Sequence, residues 1–258
     1  AFPMLFSQYA EANRFIVNTY YHGHGHTQIR SLLFRLYKPV GGKAVRSADA
    51  VIALSNYEKS LLIRDFNLNS GGVAVIPYGI DLAEFKDLRI EKKSAEKKIL
   101  FVGRLEEYKG VQYIIQALPL VETGIHLEIV GSGPYKKHLE QIIRDLKLEE
   151  RVSFFQDLER KELLSKYASS NLFVMLSRYE SFSIVVAEAL AAGVPCIVAN
   201  TSALKEWIDN ENCFGIDYPI SMERLVGLTG DVVGKKVDGI KLWDWDKVIK
   251  ETLKVYGE

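Results

Sequence analysis

Short apolar runs alternate with amphipathic helical patterns along most of this chain. After residue 97 the alternation is regular, with five near-continuous apolar runs that predict strands. These strands are Lys98–Val102, His126–Val130, Val152–Phe155, Leu172–Leu176 and Cys196–Ala199. The predicted helices between and after them are Gly110–Leu118, Pro134–Lys147, Glu159–Ala168, Ser183–Ala192 and Ala203–Asp209. Apolar strands spaced by helices favour an α/β fold with a doubly wound parallel sheet.

The first part of the chain shows the same alternation in a shorter form. Its predicted elements are strands Phe15–Tyr21, Ala50–Ser55 and Val73–Tyr78 and helices Ile29–Tyr37 and Asn56–Asp65. The charged stretch Lys86–Lys98 predicts a boundary, and Lys247–Tyr256 predicts a last amphipathic helix. The predicted domains are therefore 1–87 and 88–236, followed by a C-terminal helical segment, 237–258. Because three strands cannot easily bury both faces of a sheet, we expect the first domain to lack about 80–100 residues.

Composition excludes several classes of protein. With 48% hydrophobic and 26% charged residues, the chain has the make-up of a soluble globular protein of one or two domains. Equal numbers of basic and acidic residues, 33 each, give no net charge that would attract nucleic acid. Cys196 and Cys213 are too few for a disulfide framework or a metal cluster, which fits a reducing, cytoplasmic compartment. No apolar run approaches the roughly 20 residues of a membrane span.

Positive charge is concentrated near the start of the chain. Residues 1–60 carry seven Lys/Arg and three Asp/Glu, and residues 28–46 mix these basic side chains with apolar ones. Such a basic amphipathic segment can lie on anionic lipid at the inner face of a membrane or contact an anionic acceptor. The alternative is a helix that packs on its own sheet and exposes a charged outer face.

Two glutamates flank the turn between a predicted strand and a predicted helix. Glu180 lies on the turn after Leu172–Leu176, and Glu188 lies about a turn and a half inside the helix Ser183–Ala192. The free amides at the start of that helix would face an anion, assisted by the helix dipole. A carboxylate on each side of a phosphate pocket suits a nucleotide sugar, which is part phosphate and part polyol.

Three blocks of this sequence resemble retaining, family-4-type glycosyltransferases. They are Glu180-Ser-Phe-Ser-Ile-Val-Val-Ala-Glu188, Ile99-Leu-Phe-Val-Gly-Arg-Leu-Glu-Glu-Tyr-Lys-Gly110 and Leu127-Glu-Ile-Val-Gly-Ser-Gly-Pro134. The blocks occur in the order found in the family, and the resemblance covers essentially the whole chain. It implies the GT-B architecture, in which two Rossmann-like domains face a cleft, with the N-terminal, acceptor-side domain incomplete here.

The resemblance also implies a role for individual residues of the donor site. Arg104 and Lys109 would bind the donor diphosphate and stabilise the charge of the leaving group. Glu188 would accept hydrogen bonds from two adjacent ribose hydroxyls, and Glu180 would hold a hydroxyl of the transferred sugar. Further donor contacts are expected from Gly103, Gly131, Phe182, Ser183 and Ile184. The turn Gly131–Pro134 either contacts the ligand directly or serves only to reverse the chain.

His22 is the candidate catalytic residue of the first domain. It follows a predicted strand and precedes Gly23, and the resemblance implies a place across the cleft, near the donor sugar and leaving phosphate. The alternating His22, His24 and His26 could instead bind a metal. No cysteine or carboxylate is nearby, and the resemblance implies a reaction that needs neither metal nor cofactor, so we expect neither. His24 and His26 are expected at the acceptor cleft or the surface.

The implied activity is that of a retaining hexosyltransferase. It would transfer a sugar from a nucleoside-diphosphate sugar, with UDP or GDP the favoured carrier, to a carbohydrate or lipid-linked acceptor. No residue stands out as a covalent nucleophile, and the resemblance implies front-side displacement assisted by the donor phosphate. Two alternatives stay open: a nucleotide-sugar epimerase of the same fold, and a donor-binding chain that is inactive because its acceptor domain is truncated.

Overall fold

The computed structural model describes residues 14–23, 38–86, 88 and 96–257, and their contacts group into two units. The first unit contains the described residues up to Gly79, the loop Glu180–Phe182 and the residues from Trp243 onward. The second contains Ile80–Tyr179 and Ser183–Leu242, where described. The domain limits inferred from sequence, at 87/88 and 236/237, stay predictions.

A parallel sheet of three short strands forms the centre of the first unit. Its strands, in spatial as well as chain order, are β1 (Ile16–Asn18), β2 (Ala50–Ala53) and β3 (Val73–Val75). Helix α1 (Asn56–Phe66) begins where the Ser55 hydroxyl accepts the Glu58 amide at 3.1 Å. Val17, Val51 and Leu62 are buried between this helix and the sheet. The predicted strands are confirmed, although each is shorter than its apolar run.

The basic segment 28–46 is described only in part. Residues 38–46 are helical, and a Cβ on Gly42 would lie 2.8 Å from the Phe66 ring, so this helix lies close against α1. Val45 is buried in the same core. The predicted helix Ile29–Tyr37 lies outside the described residues, as do His24 and His26.

The second unit is built on a six-stranded parallel sheet. Its strands are β4 (Lys97–Val102), β5 (Ile125–Val130), β6 (Val152–Phe155), β7 (Leu172–Met175), β8 (Cys196–Ala199) and β9 (Cys213–Ile216). Their spatial order is β6-β5-β4-β7-β8-β9, and every neighbouring pair is parallel. β7 and β8 are buried along their whole length, as expected for central strands covered on both faces. The predicted α/β fold with two Rossmann-like parallel sheets is confirmed.

Helices cover both faces of this sheet. They are α2 (Ala83–Lys86), α3 (Val111–Ala117), α4 (Lys136–Asp145), α5 (Arg160–Ser169), α6 (Ile184–Ala191) and α7 (Met222–Val232). The connections through α3 and α4 lead towards β6, whereas those through α5 and α6 lead towards β9. Because parallel crossovers are right-handed, the two pairs of helices lie on opposite faces, so α5 and α6 share one face.

The end of the second sheet differs from the sequence prediction. The predicted helix Ala203–Asp209 is a 3₁₀ segment, Ser202–Trp207, since the chain must turn at once to enter β9. The Asp209 carboxylate holds the turn into β9 by accepting the amides of Glu211, Asn212 and Cys213 at 2.8–2.9 Å. β9 and α7 were not predicted at all.

The last helix, α8 (Trp245–Tyr256), belongs to the first unit. The Asp244 carboxylate caps its first turn by accepting the Lys247 amide at 2.8 Å. Gly79 lies against its start, where a Cβ would be 2.9 Å from the Trp245 ring. Across the described ranges, none of the helices has the length and apolar character needed to cross a membrane.

Candidate functional site

The strand order of the second unit creates a switch point between β4 and β7. The chain leaves β4 towards one edge of the sheet and leaves β7 towards the other. Loops that depart in opposite directions open a crevice outside the carboxyl ends of the two strands, where ligands of such sheets bind. The sequence block that ends at Gly110 forms the loop after β4, and the block that starts at Glu180 forms the loop after β7. The block that ends at Pro134 follows β5, next to them.

The turns after β4 and β5 are packed backbone to backbone. A Cβ on Gly131 would lie 1.9 Å from the Gly103 carbonyl oxygen, and one on Gly133 would lie 2.3 Å from that of Leu105. The Leu105 amide also donates to the Ser132 carbonyl at 2.9 Å. Only glycine permits this approach, so the turn after β5 has a structural requirement for glycine at positions 131 and 133, whether or not it contacts a ligand.

The loop after β4 is also joined to the loop after β7. Gly110 has a φ of 78°, and a Cβ there would lie 2.3 Å from the Leu176 carbonyl oxygen. The Arg178 amide donates to the Tyr108 carbonyl at 2.9 Å. The three loops therefore form one continuous backbone surface at the carboxyl edge of the sheet.

Arg104 and Lys109 both lie on the loop after β4. The Arg104 side chain is 66% exposed, and its guanidinium lies 3.1 Å from the Glu106 carboxylate. Lys109 is half-buried, with its ammonium 5.3 Å from the centre of the Tyr108 ring. The loop thus carries two cations, an exposed guanidinium and a half-buried ammonium. Both groups are suited to bind the oxygens of a polyanion.

Helix α6 begins at Ser183, directly after the loop from β7. Ser183 has a left-handed backbone, with φ 72°, and its hydroxyl makes no capping bond to the helix. The side chain is 8% exposed, and its Oγ has no hydrogen-bond partner in the structure. Because the first amides of a helix also lack intrahelical acceptors, this end offers several donors to an anion.

Glu188 is buried inside α6 and is bonded through both carboxylate oxygens. The side chain is 7% exposed in an otherwise apolar helix. One oxygen accepts the Tyr167 hydroxyl at 2.9 Å, and the other accepts Nη1 of Arg160. Both donors come from α5, on the same face of the sheet.

Arg160 also binds a second carboxylate, that of Glu84 in α2. Its Nε and Nη2 lie 3.2 Å and 2.7 Å from the same Glu84 oxygen. Hydrogen bonds to Glu84 first, and to Glu188 second, raise the pKa of Arg160, which therefore stays charged. Burial and the neighbouring Glu188 raise the pKa of Tyr167 well above its usual value, so the phenol stays a hydrogen-bond donor.

Three predicted site residues fall in the first unit. Glu180 and His22 are half-buried, and the Phe182 ring meets the Tyr78 ring edge-on at 5.9 Å. The remaining predicted residues are brought together on the three loops and α6 of the second unit: Gly103, Arg104, Lys109, Gly131, Ser183, Ile184 and Glu188. Roles in binding and catalysis stay predictions for all of them.

The backbone that leads to His22 is held in place by hydrogen bonds to Glu58. The Glu58 carboxylate accepts the backbone amide of Tyr21, the Thr19 hydroxyl at 2.9 Å and the Leu54 amide at 2.8 Å. Glu58 is fully buried, and burial raises the pKa of its carboxyl group. In the ranges the structure describes, no group of three His, Cys, Asp or Glu side chains is arranged to hold a metal ion.

Sequence reasoning missed the partners of Glu188. Arg160 is the first residue of α5, a position where the helix dipole favours acidic side chains. A basic residue there is the one sequence feature that indicates a nearby carboxylate partner. Tyr167 lies seven residues later, and therefore on the same side of the helix. Glu84 could not have been paired with Arg160, since 76 residues separate them.

Two protein-family models match this chain, and together they cover most of it. Residues 84–226 match the family described as glycosyl transferases group 1, and residues 2–84 match glycosyltransferase family 4. An uncharacterized glycosyltransferase of Methanocaldococcus jannaschii is 33% identical over 230 residues, which are 80% of this chain and 59% of that protein. A GDP-mannose-dependent phosphatidylinositol monomannoside mannosyltransferase of Mycobacterium tuberculosis is 28% identical over 246 residues, 87% of this chain and 61% of that protein. The chain thus spans about three fifths of the length of these relatives.

Solved structures give the same fold at lower sequence identity. HepE of Anabaena, solved in complex with UDP, matches with a TM-score of 0.83 at 19% identity, over 99% of this chain and 75% of that one. A sucrose-phosphate synthase of Thermosynechococcus elongatus matches with a TM-score of 0.80 at 22% identity, over 97% and 69%. These likenesses show a GT-B glycosyltransferase fold.

Proposed function

The chain belongs to the glycosyl transferases group 1 family, and we propose that it binds a nucleoside-diphosphate sugar and transfers the sugar with retention of anomeric configuration. The acceptor in this proposal is a carbohydrate or a lipid-linked glycan, and the reaction needs neither metal nor cofactor. The protein works in the cytoplasm or at the inner face of the membrane. UDP and GDP are the favoured carriers, because one relative is named as a GDP-mannose-dependent enzyme and one structural neighbour was solved in complex with UDP.

One observation carries the proposal. Three loops meet at the switch point of the second sheet and bring two cations to the same edge as the start of α6. Arg104 and Lys109 would bind the diphosphate, and the buried Ser183 hydroxyl without a partner would donate to it. As the leaving diphosphate gains negative charge, these interactions strengthen, which lowers the barrier to transfer. Glu188 would hold the ribose, and Glu180 the transferred sugar.

The first test is direct binding of UDP, GDP and ADP, measured by calorimetry. One of the three should bind, and Lys109→Ala and Glu188→Ala should each weaken that binding about 10- to 100-fold, because each removes a hydrogen bond to a charged group worth about 1.5–3 kcal/mol. Arg144→Ala and Glu150→Ala are matched controls. Both are exposed charges outside the three loops, one late in α4 and one before β6, and both should bind as the parent does.

The reaction itself is tested with the nucleotide sugar that corresponds to the nucleotide bound. NMR should show transfer to an added acceptor, or slow hydrolysis, with the anomeric configuration kept. Isomerisation of the donor alone would replace the proposal with epimerase activity. Binding without transfer or hydrolysis would identify an inactive donor-binding chain.

A further inference from the structure

The carboxylate of Glu188 lies in a network that the donor site described above does not use. Tyr167 donates to one of its oxygens and Arg160 to the other, while Glu84 holds the far side of Arg160. We propose that Arg160 and Tyr167 are positioning residues, which set the Glu188 carboxylate to accept the two ribose hydroxyls of the donor. This inference rests on the proposed function, since it requires a nucleoside diphosphate at this site.

Burial explains why Glu188 needs these partners. An ionised carboxylate at 7% exposure is costly unless a cation and hydrogen-bond donors accompany it. Arg160 supplies the charge, and Tyr167, which is fully buried, supplies a neutral donor. Together they hold the carboxylate in one orientation within an apolar helix.

The number of bonds matches a ligand with two adjacent hydroxyls. A carboxylate offers about four acceptor sites, two on each oxygen. The protein fills one site on each oxygen of Glu188. Both oxygens are therefore fixed and neither is saturated, so each can still accept one ribose hydroxyl.

Arg160 is suited to this task by its rigid fork. Nε and Nη2 bind Glu84, and this contact aims the remaining nitrogen, Nη1, at Glu188. The Phe85 ring, 5.9 Å from the guanidinium carbon, covers the group further. A lysine carries the same charge but is a point donor without a fork, and it cannot bind both carboxylates in this geometry.

The test compares two ligands across four proteins. The ligands are whichever of UDP, GDP and ADP binds best and its 2′,3′-dideoxy analogue, which lacks both ribose hydroxyls. The proteins are the parent, Arg160→Lys, Tyr167→Phe and the control Arg144→Ala. Calorimetry gives the ratio of the two dissociation constants for each protein, and thermal melts confirm that each is folded.

We expect the parent and Arg144→Ala to prefer the ribose ligand by at least about tenfold, since hydrogen bonds to a charged group exceed about 1.4 kcal/mol. In Arg160→Lys and Tyr167→Phe that preference should fall at least about threefold, because Glu188 is no longer held in register. If Arg160→Lys fails to fold, Tyr167→Phe carries the test alone, since it removes a single hydroxyl from the core.

Two results would overturn the inference while leaving the proposed function in place. One is an equal loss of affinity for both ligands in Arg160→Lys and Tyr167→Phe, so that the ratio of the two dissociation constants stays as in the parent. A purely structural role of these residues would give that result. The other is a parent that binds both ligands equally well. If the parent binds none of the three nucleotides, the proposed function itself fails, and the inference fails with it.

Discussion

At the scale of single residues, two carboxylates of the first unit show how environment decides protonation. Burial raises the pKa of Glu58, even though it accepts two backbone amides and the Thr19 hydroxyl. Asp65 behaves in the opposite way. The Arg64 guanidinium, helped by the Tyr21 hydroxyl and by Lys38, lowers the pKa of Asp65 to about 2.

This difference predicts an acid-sensitive contribution from Asp65 to stability. A carboxyl group whose pKa is lower in the folded state than its usual 3.8 stabilises the fold above that value. The stabilisation is lost as pH falls from about 4 to about 2, where the folded state takes up the proton. Asp65→Asn should therefore lower the free energy of unfolding by about 1 kcal/mol at about pH 6, allowing for solvent screening, and by much less at about pH 2.

The measurement is chemical denaturation of the parent and the variant at both pH values. Asp231→Asn, which changes an exposed aspartate of α7, is the control and should shift stability little at either pH. A destabilisation by Asp65→Asn that stays the same at both pH values would contradict this explanation.

At the scale of elements, the turns between strands and helices are the places where the fold most restricts side-chain size. Gly131→Ala should destabilise the second unit by more than about 3 kcal/mol, because the new Cβ would lie 1.9 Å from the Gly103 carbonyl and because φ at this position is 144°. Gly124→Ala is the matched control, since its Cβ would meet nothing within 4 Å.

Denaturation followed by circular dichroism compares the two variants with the parent. Gly124→Ala should stay within about 0.5 kcal/mol of the parent. Similar stability of Gly131→Ala and Gly124→Ala would mean that the close approach of the two turns is not a requirement of the fold.

The elements also show where sequence reasoning succeeds. β4, β5, β7 and β8 are long or continuous apolar runs, and their positions follow from that pattern alone. β9 is short and contains Gly215, so its identity as a strand comes from pairing with β8, which a local pattern cannot reveal. The same holds at the site. The loop residues follow from recognisable blocks, whereas the contact of Arg160 with Glu84 joins distant parts of the sequence.

At the scale of the whole molecule, the two units hold unequal shares of the predicted site residues. The second has a six-stranded sheet with helices on both faces and holds seven of the ten predicted site residues. The first has a described sheet of three strands and holds His22, Glu180 and Phe182. The residues proposed to bind the donor therefore lie mainly in the second unit.

The central claim is that the strand ends of the second sheet bind a pyrophosphate and the sugar rings on either side of it. A crystal structure of the chain with its preferred nucleoside diphosphate tests this most directly. We predict the diphosphate within hydrogen-bonding distance of Lys109 or Arg104 and of the start of α6, with the ribose hydroxyls on Glu188. A nucleotide bound anywhere else, for example at the edge of the first sheet, would contradict the account.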